Sequence, residues 1–533
     1  MIGRIITRLR RWFSRYPDDP AVEAVRAAVT QTPRAGGDAV IAVECVESPF
    51  FLGVLAAAAH AWRPRETWLL VTRSAIMNLI GRSWVYRWLH SLTFGRLEGE
   101  RWARAYDVVA TAIGYRGFNA TDVVAGMGDW TASARICREL RSVRELEALT
   151  ILGVPVGDLI IDSYLRFRPS PRVDLADSFL KAVVWQAHRD VRRARHFFAT
   201  VKPQAYLTSY STYVEHGVPV RVALQAGVRV FAYGNFTQIG KELTLDDWFH
   251  TPDASHYRSR FAALTGKAER LQLAEQQLRE RLSGKIDPAT SYMKVSAYAS
   301  SNESLPDVRG AVVVFLHDFF DSPHIYHDLV FPDFWSWVEA TIEALTAAGI
   351  PFYLKPHPNQ VTLSSAVIDE LKSRYPRVRF VPTAASNVQL RDAGMICGVT
   401  VYGTVAHELA FLGAPSIACA RHPHHRFDFC RTARNPQEYA EFLGHAGTLP
   451  VAREELSRQA LEFFYMHNLH GTTEELELRR AFVGGWKAAH TGPVDDLVRD
   501  IQRLGTLLDA AATQKSAGGA GALRRVANFE ELT

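Results

Sequence analysis

The sequence predicts an α/β protein of two doubly wound, Rossmann-like domains facing a cleft. Three observations predict it. Apolar runs of strand length alternate with amphipathic stretches of about three turns, the pattern of parallel sheets covered on both faces. The alternation occurs twice, broken near the middle by a charged and then a polar stretch. A chain of 533 residues is also too long for one ordinary core.

The first series gives an N-terminal domain over residues 17–255. Its expected strands are Asp38–Val46, Thr67–Arg73, Tyr106–Ile113, Ala205–Tyr210 and Val228–Gly234, with a long helix over Val173–Val201. Residues 256–305 read as a helical linker, KAERLQLAEQQLRERLSGK running into SAYASSNESLPD. The second series, 306–485, starts with the strand and loop VRGAVVVFLHDFF and the helix FWSWVEATIEALTAAG. Strands at IPFYLKPHPN, VRFVPT and AGMICGVT follow, then the helix GTVAHELAFLGA and the strand PSIACA. Residues 486–512 hold a last helix, and 513–533 form a small-residue tail expected to be mobile.

Residues 1–16 place Ile2, Ile5, Ile6, Leu9, Trp12 and Phe13 at helical spacing, with Arg4, Arg8, Arg11 and Arg15 mainly opposite. Such a basic amphipathic helix suits an anionic headgroup layer, a peripheral contact at the cytoplasmic membrane face. The competing reading packs it on the protein's own body. No apolar run reaches spanning length; the longest, Pro49–Trp62, contains a histidine. No signal-peptide pattern opens the chain. Five scattered cysteines without a CxxC read as buried thiols of a reducing compartment, so a cytoplasmic location is expected. A net charge of +5 argues against an extended nucleic-acid surface.

Ligands of doubly wound sheets bind beyond the carboxyl ends of the strands. Three loops of the second series leave strands there. In FLHDFFDSPH, His317, Asp318 and Asp321 follow an apolar run. In YLKPHPNQ, Lys355 ends a strand and His357 stands between two prolines that fix the backbone around it. In CGVTVYGTVAHE, Thr400, Gly403 and Thr404 lie at the turn into a helix, where open N–H groups favour an anion. Glu408 follows one turn later and is placed to accept from sugar hydroxyls. A lysine and an oriented histidine suit a departing phosphate, whose charge they neutralise as its bond breaks.

Plainer readings exist for each: a turn histidine for His357, a solvent-facing carboxylate for Glu408, turn caps for Asp318 and Asp321. The RHPHHRF cluster at 421–427 lacks zinc-site spacing and reads as surface or loop structure. HELAF ends in Phe411 where a zinc motif needs histidine. No DxD triplet, Walker loop, GxSxG elbow or complete GxGxxG occurs. No metal and no cofactor are expected.

KPHPN, with VYGTVAHELAFLGAPSI some forty residues later, resembles the nucleotide-binding half of GT-B glycosyltransferases of capsule and surface polysaccharide assembly. HDFFDSPHIYHDLVFPDFWSWVEAT and GVPVGDLIIDSYLRF resemble further segments of that group, over about Gly153–Tyr439. The wider set includes Kdo transferases, His-Pro-motif sialyltransferases and CDP-glycerol transferases. The resemblance implies that Lys355 and His357 contact the donor phosphate, that Thr400 and Thr404 lie in the nucleotide loop, and that Glu408 meets the ribose. The sialyltransferases' acidic-acidic-glycine signature, which supplies their general base, is missing here. Asp158 or Asp162 in VGDLIIDSYLR is the substitute, with Glu215 and His216 of YVEHG next on the acceptor side. Asp162 also has Arg166 at i+4 as a plain structural partner.

The expected function is a metal-independent glycosyltransferase. It would move a CMP-activated 2-keto sugar acid, such as Kdo or a nonulosonic acid, to a glycan, glycolipid or glycoprotein acceptor. The alternatives are a CDP-glycerol-type polyol-phosphate transferase and a non-catalytic partner in a polysaccharide assembly complex.

Overall fold

The computed structural model describes residues 16–30, 36–71, 101–114, 120–168, 170–285, 304–357 and 363–516. The basic amphipathic pattern at 1–16 lies outside the described residues but for Tyr16, as do 286–303 of the expected linker and the tail beyond 516.

The chain forms two units. The first takes the described residues up to Arg168, Asp174–His250 and those from Thr472 on; the second takes the short stretch ending at Val173 and the described residues of Thr251–Gly471.

In the first unit the strands are β1 (Val40–Glu44), β2 (Glu66–Leu70), β3 (Ala112–Gly114), β4 (Thr150–Ile151), β5 (Val154–Pro155), β6 (Ala205–Thr208), β7 (Arg229–Ala232) and β8 (Lys241–Leu243). β4 and β5 make a separate antiparallel pair. The other six form one sheet in the order β3-β2-β1-β6-β7-β8, parallel except for β8. Tyr106–Ile113, expected as a strand, divides into a 3-10 turn over Tyr106–Val108 and the short β3.

Side-chain alternation sends Ile41, Val43, Ala205 and Leu207 into one core layer, and Tyr206 to the other face against Phe198 of the helix Ser178–Val201. The helix Pro49–Ala61 is buried along nearly its whole length, because apolar residues surround it and it needs cover on every side. Ser48 caps it and Pro49 takes its first position.

That cover comes from the end of the chain. Phe482 sits edge-on to Phe50 at 5.0 Å, and Ile501, Leu504 and Leu508 join the same core. The helices Thr473–Thr491 and Val494–Ser516 therefore complete the first unit, a correction to the domain expected to run through 485. The expected linker is corrected as well. The helices Tyr257–Ala263 and Lys267–Leu282 are part of the second unit, because Ala274, Leu278 and Leu282, four residues apart, bury against a core containing Leu456 and Phe463.

The second unit holds β9 (Val312–Phe315), β10 (Phe352–Lys355), β11 (Arg379–Phe380), β12 (Cys397–Val399), β13 (Ser416–Ala418) and β14 (Cys430–Thr432). All are parallel, in the order β11-β10-β9-β12-β13-β14. Val312 and Val314 face the helix Phe334–Ala347, while Val313 and Phe315 face Leu390 and Leu409 of helices on the other side. Both sheets share one strand order, and in both the direction of winding reverses beside the first strand: at β1/β6 and at β9/β12. The two doubly wound α/β sheets are as the sequence predicts.

Candidate functional site

In the second unit the loops after β9, β10 and β12 leave the carboxyl edge of the sheet around its switch point. Pairing of β9 with both β10 and β12 sets Lys355 opposite Phe315, and Val399 opposite Val314. The residues that follow each strand end are thus brought together by register alone.

His317 lies 3.0 Å from Thr400 Oγ1, and its Nε2 accepts the Val401 N–H at 3.3 Å. Its ring stacks on Phe334 at 4.8 Å, nearly parallel, and meets Tyr402 edge-on. Burial, with the neighbouring His357, pushes its pKa down to about 3, so His317 is a neutral acceptor that spans the switch. Thr400, only 1% exposed, accepts the Gly403 N–H at 3.0 Å. A Cβ on Gly403 would come 2.8 Å from that hydroxyl, so a side chain there would force the buried Thr400 to shift. The helix after it is Val405–Phe411, with the exposed Thr404 at its N-cap making no side-chain cap bond.

Lys355 is 4% exposed; its Nζ donates to the Thr383 carbonyl at 3.0 Å. Burial lowers its pKa to about 8, against the attraction of Glu408. His357, partly buried, is lowered by burial and by Lys355 and held up by Asp318. Asp318 accepts from Ser364 Oγ at 2.9 Å and from the Phe320 N–H at 3.1 Å. Asp321 accepts the Ser322 N–H. Asp318 therefore caps its turn through Phe320 and in addition faces His357.

Glu408 is buried, 1% exposed, and accepts from Asn387 Nδ2 at 2.8 Å. It faces inward and not toward solvent, in the field of Lys355. A groove of about 740 Å³ borders this edge, lined by Pro356, Phe380, Pro382 and Thr383 among others. Pro358, the second of the flanking prolines, is outside the described residues.

The first-unit candidates separate. Asp158 is held bidentate by the buried Arg221, at 2.6 and 2.5 Å, and that arginine also ties to the Pro155 carbonyl. Asp162 is 0% exposed within the helix Gly157–Phe167. Asp158 is thus committed to a structural arginine, and Asp162 is enclosed by the packing of its helix. Glu215 and His216 lie instead at the β1/β6 switch. His216 Nδ1 donates to Glu44 Oε1 at 2.5 Å, and its Nε2 is 3.8 Å from Glu215 Oε1.

The sequence reading missed Glu44 and Asn387. The signal for Glu44 was present: it ends the apolar strand VIAVE as Lys355 ends FYLK. Nothing in NVQLRD marks Asn387, whose role depends on the fold bringing Glu408 to it.

Of the 421–427 histidines, which lie in a loop, His422 and His424 are buried and His425 is half-buried. His407 Nδ1 meets His424 Nε2 at 3.2 Å, His424 Nδ1 meets His422 Nδ1 at 3.0 Å, and His422 Nε2 reaches Thr432 at 3.1 Å. Burial keeps all three neutral. Among the described residues no group of three or more His, Cys, Asp or Glu is placed to hold a metal ion. No described helix is long and apolar enough to cross a membrane.

No family model matches the chain, and no curated protein matches it. Several solved structures are similar. KpsC of Thermosulfurimonas dismutans, a beta Kdo 2,4 transferase, is 12% identical over 53% of this chain and 88% of that one, with a TM-score of 0.30. The UDP-GlcNAc 2-epimerase of Methanocaldococcus jannaschii with UDP-GlcNAc and UDP is 11% identical over 52% and 79%, at 0.23. The wall teichoic acid polymerase TagF soaked with CDPG is 11% identical over 60% and 75%, at 0.20.

Proposed function

We propose that this chain is a metal-independent glycosyltransferase of the GT-B type, transferring a sugar from a nucleotide donor to a surface glycan, glycolipid or glycoprotein. One observation carries the reading. At the carboxyl edge of the second sheet, a buried lysine, a partly buried histidine and the His317–Thr400 link gather around one switch point. An ammonium kept out of water, with its charge only partly offset, is a strong partner for phosphate oxygens. Lys355 and His357 would take the charge of the leaving phosphate, Thr400, Gly403 and Thr404 would border the nucleotide, and His317 and Asp318 would hold the loops in register. Glu408 would anchor Lys355 from below, or turn to the ribose once nucleotide is bound.

The donor in this reading is a CMP-linked 2-keto sugar acid such as Kdo, following the motif resemblance. The enzyme would work at the cytoplasmic side, with residues 1–16 on the membrane surface.

Calorimetric titration of CMP, CDP and UDP into wild type, Lys355→Ala and His357→Ala tests it. The expected result is tight binding of one nucleotide by wild type, weakened at least tenfold in each variant. Nucleotide release from CMP-Kdo, CMP-sialic acid, CDP-glycerol and UDP-GlcNAc then identifies the donor, and release from CDP-glycerol alone would make the enzyme a polyol-phosphate transferase. If no nucleotide binds, the transferase reading fails and a non-catalytic assembly partner takes its place.

A further inference from the structure

His407, His424 and His422 form a buried row inside the second unit, and their neighbours settle the direction of each hydrogen bond in it. The backbone N–H of His424 donates to His422 Nδ1 at 3.0 Å. That nitrogen is therefore bare, and His422 carries its proton on Nε2, toward Thr432 Oγ1. His424 Nδ1 stands 3.0 Å from the same bare nitrogen, so it is the donor of the pair. A neutral His424 then has a bare Nε2, which accepts from His407 Nδ1 at 3.2 Å. His407 Nε2 is bare in turn and faces Arg281 Nη1 at 3.5 Å. A guanidinium can only donate. The row thus runs one way. It starts at the helix Lys267–Leu282, passes through the helix Val405–Phe411 and the loop 419–429, and ends at a hydroxyl on β14.

No nitrogen of the row is open to another proton. On His407 Nε2 it would point at the guanidinium, and on His422 Nδ1 at the backbone N–H. On His424 Nε2 it would meet the His407 N–H, and a change of tautomer in His407 only moves the conflict to Arg281. Burial holds all three rings below the ordinary histidine value, with Phe463 packed on His424 at 4.3 Å and on His407 at 5.1 Å. The other titratable groups facing the row are His467, held by Tyr257 Oη at 3.0 Å, His425, and the Cys430 thiol, 3.8 Å from His422 Nε2. His425 is itself faced by Arg421, Arg426 and Asp253. Among the described residues none of the groups acting most strongly on the three rings is a carboxylate. The first unit differs: there Glu44 takes the His216 ring together with the Ser209 N–H and hydroxyl, each of the latter at 2.7 Å.

Solvent reaches the neighbour of the row. His425 is half-buried in the wall of a cleft of about 500 Å³ shared with Arg426 and Arg431, and its Nδ1 meets the His422 carbonyl at 2.6 Å. On the other side, the helix that His407 ties down carries Glu408, which accepts from Asn387 and acts on Lys355. We propose that the row is an acid-released latch. While its three rings are neutral it fastens the loop 419–429 to the helix Val405–Phe411; proton entry parts the two and frees the helix that presents Glu408. Once one contact opens, the other rings are exposed to protonation, so the three titrate together. The latch is independent of the transferase reading.

Hydrogen exchange of the full chain, corrected for intrinsic rates, tests it. A histidine that is ordinary when released and well lowered when latched favours opening about tenfold more at pH 5.5 than at 7.5, so three give roughly 1,000-fold. Peptides covering 405–411 and 419–432 should show that response and recover when the pH is raised. His424→Gln and His407→Gln each keep one donor and one acceptor but take no proton, and each should cut the response to about 100-fold. Nitrogen-15 NMR of the rings at pH 7.5, assigned by signals lost in these variants and in His422→Gln, should show Nδ1–H for His407 and His424 and Nε2–H for His422. A wild-type response of tenfold or less, variants that answer acid as strongly as wild type, or any other set of tautomers overturns the proposal. Where a variant does not fold, the wild-type response decides.

Discussion

At the switch point of the first unit a strand ends in a carboxylate, Glu44, that keeps a neighbouring histidine charged. At the same place in the second unit a histidine, His317, is kept neutral by burial, and the adjoining strand ends in a lysine whose charge is weakened. The strand order is the same in both, so the backbone accounts for where these groups stand but not for their charge. The difference comes from the partner within hydrogen-bonding reach. An imidazole given a carboxylate stays protonated in the interior, and one given a hydroxyl and a backbone N–H does not. In the proposed function, the second arrangement is the one that would receive an anion.

The largest effect that can break this comparison is expected from Glu44→Ala. It strands a buried imidazolium and the Ser209 donors, and should lower stability by about 3–5 kcal/mol in chemical denaturation. A loss below 1 kcal/mol would mean that His216 is not held charged by this carboxylate.

The pH response should split the units next. His317, His407, His422 and His424 are all lowered in the folded second unit, so the unfolded chain binds protons there that the folded one does not. Stability is therefore lost as pH falls below about 6.5, by about 1.4 kcal/mol per pH unit for each group. His216 has the opposite sign. Its folded pKa is above the unfolded value, so its contribution is complete below 6.5 and lost as pH rises through about 9. His250 adds some acid sensitivity to the first unit. Hydrogen exchange resolved by peptide, corrected for intrinsic rates, should show the second unit opening first in acid and the Glu44 region loosening in alkali. Uniform loss across both units would contradict the contrast.

Lys355→Met sharpens the second half of the comparison. A pKa near 8 in place of 10.5 corresponds to roughly 3 kcal/mol against the folded state at neutral pH. The variant should be as stable as wild type or more so, and should bind nucleotide at least tenfold more weakly. Thermal unfolding and calorimetry together check this, and a destabilised variant with normal affinity would make Lys355 a structural residue. The smallest effect is expected from Asn387→Ala, which leaves the Glu408 carboxylate short of one donor and should cost about 1–3 kcal/mol.

Much of this was legible in the chain. Strand ends marked by a sudden charge, as at Lys355, or by histidine and aspartate after VVVFL, located the second unit's edge because a parallel sheet delivers such residues to one side. Glu44 carried the same mark and was passed over for want of a motif around it. The ownership of residues 472–516 was not legible, since an amphipathic helix does not say which apolar surface it covers; the exposed need lay in Pro49–Ala61, over four hundred residues earlier. The buried chain of histidines was hidden for a related reason. RHPHHRF is polar as text, and becomes interior only when His407 and Thr432 supply its partners.

The most direct test is a crystal structure of the protein soaked with whichever of CMP, CDP or UDP binds in solution. The account predicts nucleotide phosphate at the carboxyl edge of β9, β10 and β12, within hydrogen-bonding distance of Lys355 Nζ or the His357 ring. Nucleotide bound at another edge of the sheet, with Lys355 still donating only to Thr383, would contradict it.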